Sequence, residues 1–458
     1  MTPSARLSAA IEVLADIAGR RRPAADALKE WGLAHRFAGS GDRAGIAGLV
    51  YDALRRKASA AWLMGEETPR AIVTGMLRLE RGLHVGDIDK LFDGSRFAPA
   101  PLDNAERAAL TERSLDDAPP PVAGDYPDWL DDALARVFGD ERAAEGAALA
   151  RRAPLDLRVN TLKADRDEAF HALSHLGAEP TRWSPFGLRI ALPPDARNVA
   201  VHAEPAFLAG QVEVQDEGSQ LAALLSGAKP GLQVVDLCAG AGGKTLALAA
   251  LMENHGQIFA TDLDKRRLAP IHERLARAGT RNVQVRTPRG PVRRSAQREG
   301  GSPQGEGGRG KPQAGDDVLS DLHARADLVL IDAPCTGTGT WRRNPDAKWR
   351  MRPGALAERI KEQTALLDRA AALVKPGGRI AYVTCSVLAE ENADQVRGFL
   401  KSHPDFAVAP PAELLAPLGD RAFIFRQAVL LSEAGVQMTP RRTETDGFFV
   451  AVVIRRPH

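Results

Sequence analysis

Cysteine is scarce in this chain, with three copies among 458 residues. At irregular spacing they form no disulfide framework and lack the paired spacing of a zinc site, so no metal is expected and a reducing cytoplasm is the natural setting. Net charge is also small, at +2. Such a balance neither demands nor excludes nucleic acid, because a basic groove can be offset by an acidic face elsewhere. No apolar run reaches the roughly 18 residues that span a bilayer. The first residues show no apolar stretch leading to a small-residue cleavage site. The expectation is a soluble monomer with no membrane partner. No internal repeat is visible. At 44% hydrophobic and 26% charged residues the composition is globular, and the length allows about two to four domains.

The few cysteines have a pattern. Cys238 follows Val234-Val235-Asp236-Leu237, Cys335 follows Leu328-Val329-Leu330-Ile331-Asp332-Ala333-Pro334, and Cys385 follows Ile380-Ala381-Tyr382-Val383-Thr384. Apolar runs of this length, bounded by turn signals, predict buried parallel strands. In open α/β sheets ligands bind outside the carboxyl ends of the strands, where residues distant in sequence meet. Two thiols and the carboxylate of Asp332 are therefore expected to share one pocket.

Along the chain, residues 1–95 carry the apolar spacing of helices, as in Leu7, Ile11, Leu14 and Ile17, and again in Ile46, Leu49, Val50 and Leu54. Residues 96–127, rich in Pro, Asp and Ala, read as a linker. Residues 128–230 read as a helical connector, broken near Gly139, followed by a small α+β unit with strands at Leu157-Arg158-Val159-Asn160 and at residues 187–192. From residue 231 to 458, strands alternate with helices, which predicts a doubly wound, Rossmann-like sheet. Residues 286–317, dense in Gly, Pro and Arg, interrupt it and are expected to form a disordered insertion.

The first strand of that sheet leads into Cys238-Ala239-Gly240-Ala241-Gly242-Gly243-Lys244-Thr245, a glycine turn that opens a helix. Such a turn brings the backbone close to a ligand and offers unpaired N–H groups. A phosphate-binding loop needs glycine where Cys238 stands, and the dinucleotide fingerprint needs glycine where Thr245 stands. Neither motif is complete. What remains is the looser turn of enzymes that bind S-adenosylmethionine. Asp262, about twenty residues on at the end of the next strand, suits a ribose, and Asp264 suits a helix cap.

Several stretches together resemble the RsmB/Nop/Sun family of RNA cytosine-5 methyltransferases: residues 157–163, Gln215-Asp216-Glu217-Gly218-Ser219-Gln220, the turn from Cys238 to Lys244, residues 332–339, residues 343–349, Thr384-Cys385-Ser386 and Asp446-Gly447-Phe448-Phe449. The resemblance covers residue 155 to the C-terminus. More loosely, the helical start, with residues 42–51, is similar to NusB-type RNA-binding domains. It implies a Rossmann-like methyltransferase domain preceded by an RRM-like α+β subdomain and an all-helical NusB-like domain. By this resemblance Cys385 is the nucleophile, Cys335 assists proton removal and product release, and Asp332 bonds the cytosine ring. The turn Cys238, Ala239, Gly240, Ala241, Gly242, Gly243 and Lys244, with Asp262 and Asp332, would hold S-adenosylmethionine. Arg158, Asn160, Lys163, Arg343 and Lys348 would contact RNA, ribosomal RNA above all.

Two thiols leave an ambiguity, because DNA cytosine-5 methyltransferases attack through the thiol of their Pro-Cys pair, here Cys335. The chain departs from the family at Ala241, where relatives have proline. It also has Arg286-Thr287-Pro288 where they place an acid beside the adenine. A catalytically idle RNA-binding assembly factor with the same fold is the alternative function. An amino-group methyltransferase is disfavoured, since those follow the acid with Pro-Pro and an aromatic ring.

Overall fold

The computed structural model describes residues 1–192, 199–288 and 318–457. Most of the expected insertion, from residue 289 to 317, lies outside the described residues.

At the N-terminus the helical spacing yields helices Pro3–Arg20, Ala24–Ala34, Ser40–Arg55, Lys57–Met64, Pro69–Leu79 and Val85–Leu91. Thr2 and Thr68 cap two of them, accepting the amides of Ala5 and Ala71 at 3.1 Å. Pro3 and Pro69 fill the first helical positions, where a missing N–H costs nothing. Leu7, Leu14 and Ile17 of the first helix share a core with Ile46, Val50 and Leu54 of the third.

Residues 96–127, expected as a linker, fold onto this core instead. Asp103 and Glu106 form a capping box on helix Asn104–Glu112, Pro120 opens a further helical turn, and Leu102, Ala109 and Leu110 are buried with the helical residues. Proline and aspartate open helices as readily as they punctuate linkers. Helices Asp131–Phe138 and Arg142–Ala150 follow, parted at Gly139 as expected.

Four short strands, β1 (Leu155–Val159), β2 (Ala178–Pro180), β3 (Gly187–Ile190) and β4 (Val212–Val214), pair antiparallel in the order β2-β3-β1-β4. Helix Arg166–Leu173 packs Ala169 and Leu173 against Leu157, Leu188 and Val212.

The main sheet comprises β5 (Gln233–Asp236), β6 (Gln257–Ala260), β7 (Val283–Val285), β8 (Ala326–Asp332), β9 (Val374–Thr384), β10 (Phe406–Val408), β11 (Leu430–Leu431), β12 (Val436–Met438) and β13 (Phe448–Arg455). Its order is β11-β12-β13-β9-β8-β5-β6-β7, with β10 also on β13. Strands β5 to β9 are parallel, and β13 runs antiparallel beside β9. The chain steps outward from β5 through β6 to β7, then starts β8 on the other side of β5. That reversal is the switch point at which doubly wound sheets hold ligands. The runs Leu328 to Ile331 and Ile380 to Val383 are wholly buried, as strands covered on both faces must be. Helix Glu217–Leu225, grouped above with the small unit, packs Leu221, Ala222 and Leu225 against Val234, Leu330 and Ala381 of the main sheet.

Loops at the carboxyl edge are stitched backbone to backbone. The Gly339 amide donates to the Cys385 carbonyl at 2.9 Å, and the Gly447 amide donates to the Gly339 carbonyl at 2.8 Å. A Cβ at Gly339 would overlap the Gly447 backbone. Gly339→Ala is therefore expected to destabilise the fold by about 1–3 kcal/mol, since backbone on both sides resists displacement. Denaturant midpoints check this.

Strand β5 ends at Asp236, a buried carboxyl that takes the Thr245 hydroxyl on one oxygen at 2.7 Å and has no hydrogen-bond partner on the other. Burial foremost, and the charge of Asp332 in addition, push it up from 3.8 to about 7, against the Thr245 bond. A group whose affinity for its proton rises on folding stabilises below its unfolded value, and that contribution is lost as pH rises through the folded one. Relative to Asp236→Asn, the wild type should lose stability between about pH 4 and pH 7, by at most ~1.4 kcal/mol per unit. Chemical denaturation of both proteins across that range checks this, and a constant gap contradicts it.

Candidate active site

At the carboxyl end of β5 the chain turns through Gly240 and Gly242, at φ +50 and +86, before helix Gly243–Leu251. A Cβ at Gly242 would approach Ile271 to 2.5 Å, so the turn needs glycine for room as well as for conformation. Asp262, just beyond β6, clasps this turn: one oxygen accepts the Gly240 amide at 3.0 Å and the other accepts the Asp264 amide at 2.8 Å. Asp264 caps helix Lys265–Leu268 through the Arg266 amide, as expected. Carboxylate oxygens carry further acceptor capacity, and Asp262 stays close enough to the turn to serve a ligand seated on it.

Beside the turn, the Lys244 ammonium lies 2.8 Å from Asp332 and 5.0 Å from the centre of the Phe448 ring. Lys244 is nearly buried, at 7% side-chain exposure, while Asp332 keeps 36% and faces the opening. Cys238 packs half-buried against the sheet core. Burial first, then the charges of Asp236, Asp332 and Asp262, push its thiol far above the usual range. A thiol so held is inert as a nucleophile. Ala241, where the family has proline, offers its carbonyl to the Arg274 guanidinium at 2.7 Å. Where relatives carry an acid after β7, Arg286 lies over the Phe259 ring and pairs with Asp321.

The other two thiols meet. Strands β8 and β9 are parallel neighbours with Asp332 opposite Val383, and the Ala333 amide extends their ladder to the Val383 carbonyl at 2.8 Å. Each chain then runs on by two or three residues to its cysteine. The sulfur atoms of Cys335 and Cys385 lie 3.4 Å apart. Thr338 and Ser386 hydroxyls bond at 3.0 Å, and Thr338 also accepts the Val387 amide at 2.9 Å, locking the two loops together. The bond to Cys385 foremost, then burial and the charge of Glu391, hold the Cys335 thiol well above its ordinary value.

The five residues expected to contact RNA all bond to the protein itself. Arg158 is buried and donates to Gln215 at 2.7 Å; burial pushes its guanidinium down to about 10. Buried Asn160 donates to the carbonyls of Gly210 and Ala278, both at 2.9 Å. Lys163 donates to those of Ala209 and Arg277 at 2.9 and 2.8 Å. Arg343 is held by Asp216 at 2.8 Å and Asp446 at 2.5 Å. Lys348, also buried, donates to the carbonyls of Asp125 and Arg55 at 2.6 and 3.1 Å, and burial pushes its ammonium down to about 7. These groups fasten seams between units: Asn160 and Lys163 join the small sheet to helix Ile271–Ala278, and Lys348 joins the helical unit to helix Pro345–Arg350. Two acids went unmarked in the sequence reading, Asp236 and Glu391. Asp236 carried a signal, an acid inside an apolar run; Glu391 carried none, standing among other polar residues.

The sequence profile of the family described as 16S rRNA methyltransferase RsmB/F matches residues 223–454, and that of the RsmF/B-like ferredoxin-like domain matches residues 126–197. The probable ribosomal RNA small subunit methyltransferase B of Synechocystis sp. is 31% identical over 329 residues, 71% of this chain and 66% of that protein. The chain thus spans about 66% of the length of the curated relatives it matches. The crystal structure of PH0851 is similar with a TM-score of 0.66 at 26% identity, across 99% of both chains. A methyltransferase homologue from Pyrococcus horikoshii gives 0.55 at 25% identity, across 73% of this chain and 97% of that one. With a profile that runs from before β5 into β13, and a relative this alike over so much of its length, the chain belongs to the 16S rRNA methyltransferase RsmB/F family.

Proposed function

We propose that this protein transfers a methyl group from S-adenosylmethionine to carbon 5 of a cytosine in ribosomal RNA, through a covalent Cys385 adduct at carbon 6. The observation that carries this reading is the 3.4 Å separation of the Cys335 and Cys385 sulfurs at the switch-point edge of the sheet. Carbon 5 of cytosine is a poor nucleophile until a thiolate has added to carbon 6, and a second group must then manage the proton at carbon 5. Two adjacent thiols can supply both functions. The relatives' names supply the substrate class.

The cofactor reading fits the residues present: the chain turns through Gly240 and Gly242 at positive φ ahead of a helix start, which lets backbone come close to a ligand, and Asp262 stands beside that turn. Residues 238–244 and Asp262 would hold S-adenosylmethionine, with Lys244 and Asp332 between it and the base. When bound, the cofactor supplies an electrophilic methyl group on its sulfonium.

Cys385 gives up its own proton to solvent, and the S–H of Cys335 donates to the resulting thiolate, which attacks carbon 6. As the new C–S bond forms, the ring electrons move toward carbon 5, and Asp332 would accept a hydrogen bond from an N–H of the ring system. Once Cys385 is a thioether it carries no charge, so two of the influences that hold the Cys335 proton are gone. Cys335 can then release that proton to water and accept the one from carbon 5. The pair of electrons left behind re-forms the carbon 5–carbon 6 double bond and expels Cys385 as thiolate. Over the cycle cytosine gains a methyl cation and loses a proton.

Fluorine at carbon 5 cannot leave as a proton, so RNA containing 5-fluorocytosine should remain covalently bound. We expect wild type and Cys335→Ala to be trapped and Cys385→Ala to be free of adduct, with methyl transfer by Cys385→Ala down by on the order of 10³ or more. Denaturing gels with labelled RNA read the adduct. Trapping that survives loss of Cys385 assigns the attack to another group, Cys335 first.

A further inference from the structure

Glu391 lies in the turn Ala389–Glu391 that follows β9 and is wholly enclosed. One carboxylate oxygen accepts the Thr336 amide at 2.8 Å and the Gln363 side-chain amide at 3.1 Å, while the other accepts the Thr336 hydroxyl at 2.5 Å. The same Gln363 nitrogen donates to the Pro334 carbonyl at 3.0 Å. The Tyr382 hydroxyl, inside β9, donates to the carbonyl of Glu391 itself at 2.7 Å. The residues before and after Cys335 are therefore both tied to this one side chain, directly or through Gln363.

Among the described residues no cation pairs with this carboxylate; its bonds come from neutral donors. Burying a charge without an ionic partner is expensive. A clamp alone does not require it, because an amide in the same place would accept from the Thr336 and Gln363 nitrogens and donate to the Thr336 hydroxyl. What the carboxylate adds is its charge, placed beside a sulfur whose proton matters.

We propose that Glu391 is a positioning residue for methyl transfer: it fixes the loop that carries Cys335 and places a carboxyl group beside it, so that the proton-handling thiol and the attacking thiol keep separate roles. This rests on the reading of Cys385 as the attacking group and Cys335 as its partner. The groups around Cys335 agree with it. Cys385 faces it from beyond β9, Tyr382 from within β9 and Glu391 from the turn, while helix Pro353–Leu373 presents the neutral Gln363. The Lys244–Asp332 pair lies toward the turn after β5, on the side of Cys238. The charge of Glu391 is among the causes that raise Cys335, and it persists after Cys385 has become a thioether. A base formed beside a fixed negative charge is a stronger base, and that is what removal of the carbon 5 proton needs.

The test follows decay of the covalent adduct on unmodified cytosine RNA in single turnovers, as a function of pH, with the full chain and S-adenosylmethionine. Decay depends on the base form of Cys335 and rises with pH. Glu391→Gln removes the charge and keeps the bonds, which lowers the proton affinity of Cys335; the midpoint should move to lower pH by roughly one unit. Thr336→Val breaks a loop bond and keeps the charge, so decay should slow by about tenfold with its midpoint in place. Should Glu391→Gln fail to fold by circular dichroism, Glu391→Asp keeps the charge on a shorter arm and is expected to slow decay with no shift. An unmoved midpoint in Glu391→Gln, or an equal shift in Thr336→Val or Glu391→Asp, overturns the proposal. Trapping of 5-fluorocytosine RNA by wild type and not by Cys385→Ala is read separately, so failure of the underlying mechanism is distinguishable from failure of this inference.

Discussion

Parallel pairing of β8 with β9 is the constraint on which the site depends. Adjacent strands in a sheet lie about 4.8 Å apart, and parallel neighbours release their chains at the same edge. A residue placed one to three positions beyond each strand end then has little choice but to meet its counterpart. The ladder from Asp332–Val383 to the Ala333 amide sets that starting point, and the bonds of Gly339 and Thr338 to the Cys385 loop keep the chains from diverging. An antiparallel neighbour would carry one of these loops to the opposite edge. β13, on the other flank of β9, does run antiparallel, and it contributes its start, Phe448 under Lys244, to the same edge.

Electrostatics divides the edge into two parts. On the cofactor side, Asp236, Asp262 and Asp332 surround the turn after β5, with Lys244 paired to Asp332. Burial of so much acid pushes both Asp236 and the Cys238 thiol up. On the thiol side the charge is that of Glu391, bound by neutral donors and adjoining a sulfur pair. Cys238 and the Cys335–Cys385 pair thus have different surroundings, although all three are cysteines after strands.

The sheet and its ends were legible because periodicity and turn chemistry are local: apolar runs become strands, Asp264 just beyond a strand caps the next helix, and thiols after neighbouring strands converge. What composition could not distinguish was a Pro- and Asp-rich linker from a set of helix starts, since Asp103, Glu106 and Pro120 look alike in either role until Leu102, Ala109 and Leu110 are seen to be buried. The cations were hidden for another reason. Arg158 and Lys348 have the side chains of RNA contacts, yet each finds its partners tens or hundreds of residues away in sequence, and no local pattern reports a carbonyl that needs a donor at a seam. Glu391 belongs to the same class: its partners Thr336 and Gln363 come from two other elements.

Those seams bear on the site through covalent continuity. The loop that leaves β8 with Cys335 runs directly into Arg342, Arg343 and helix Pro345–Arg350, and that helix is where the N-terminal helical unit docks. Trp349 donates to the Leu54 carbonyl at 2.7 Å, Arg55 donates to the Arg342 carbonyl at 2.9 Å, and the Ala24 amide donates to Asp346 at 3.2 Å. Arg342 and Arg343 meanwhile bridge Asp216, ahead of β5, to Asp446, ahead of β13. The segment bearing Cys335 is therefore held at one end by the ladder of the sheet and at the other by both preceding units. A buried lysine at that junction, with its ammonium on two carbonyls, costs desolvation that a surface cation does not. That cost is consistent with a chain in which the helical unit is fastened to the catalytic loop, and not merely strung ahead of it.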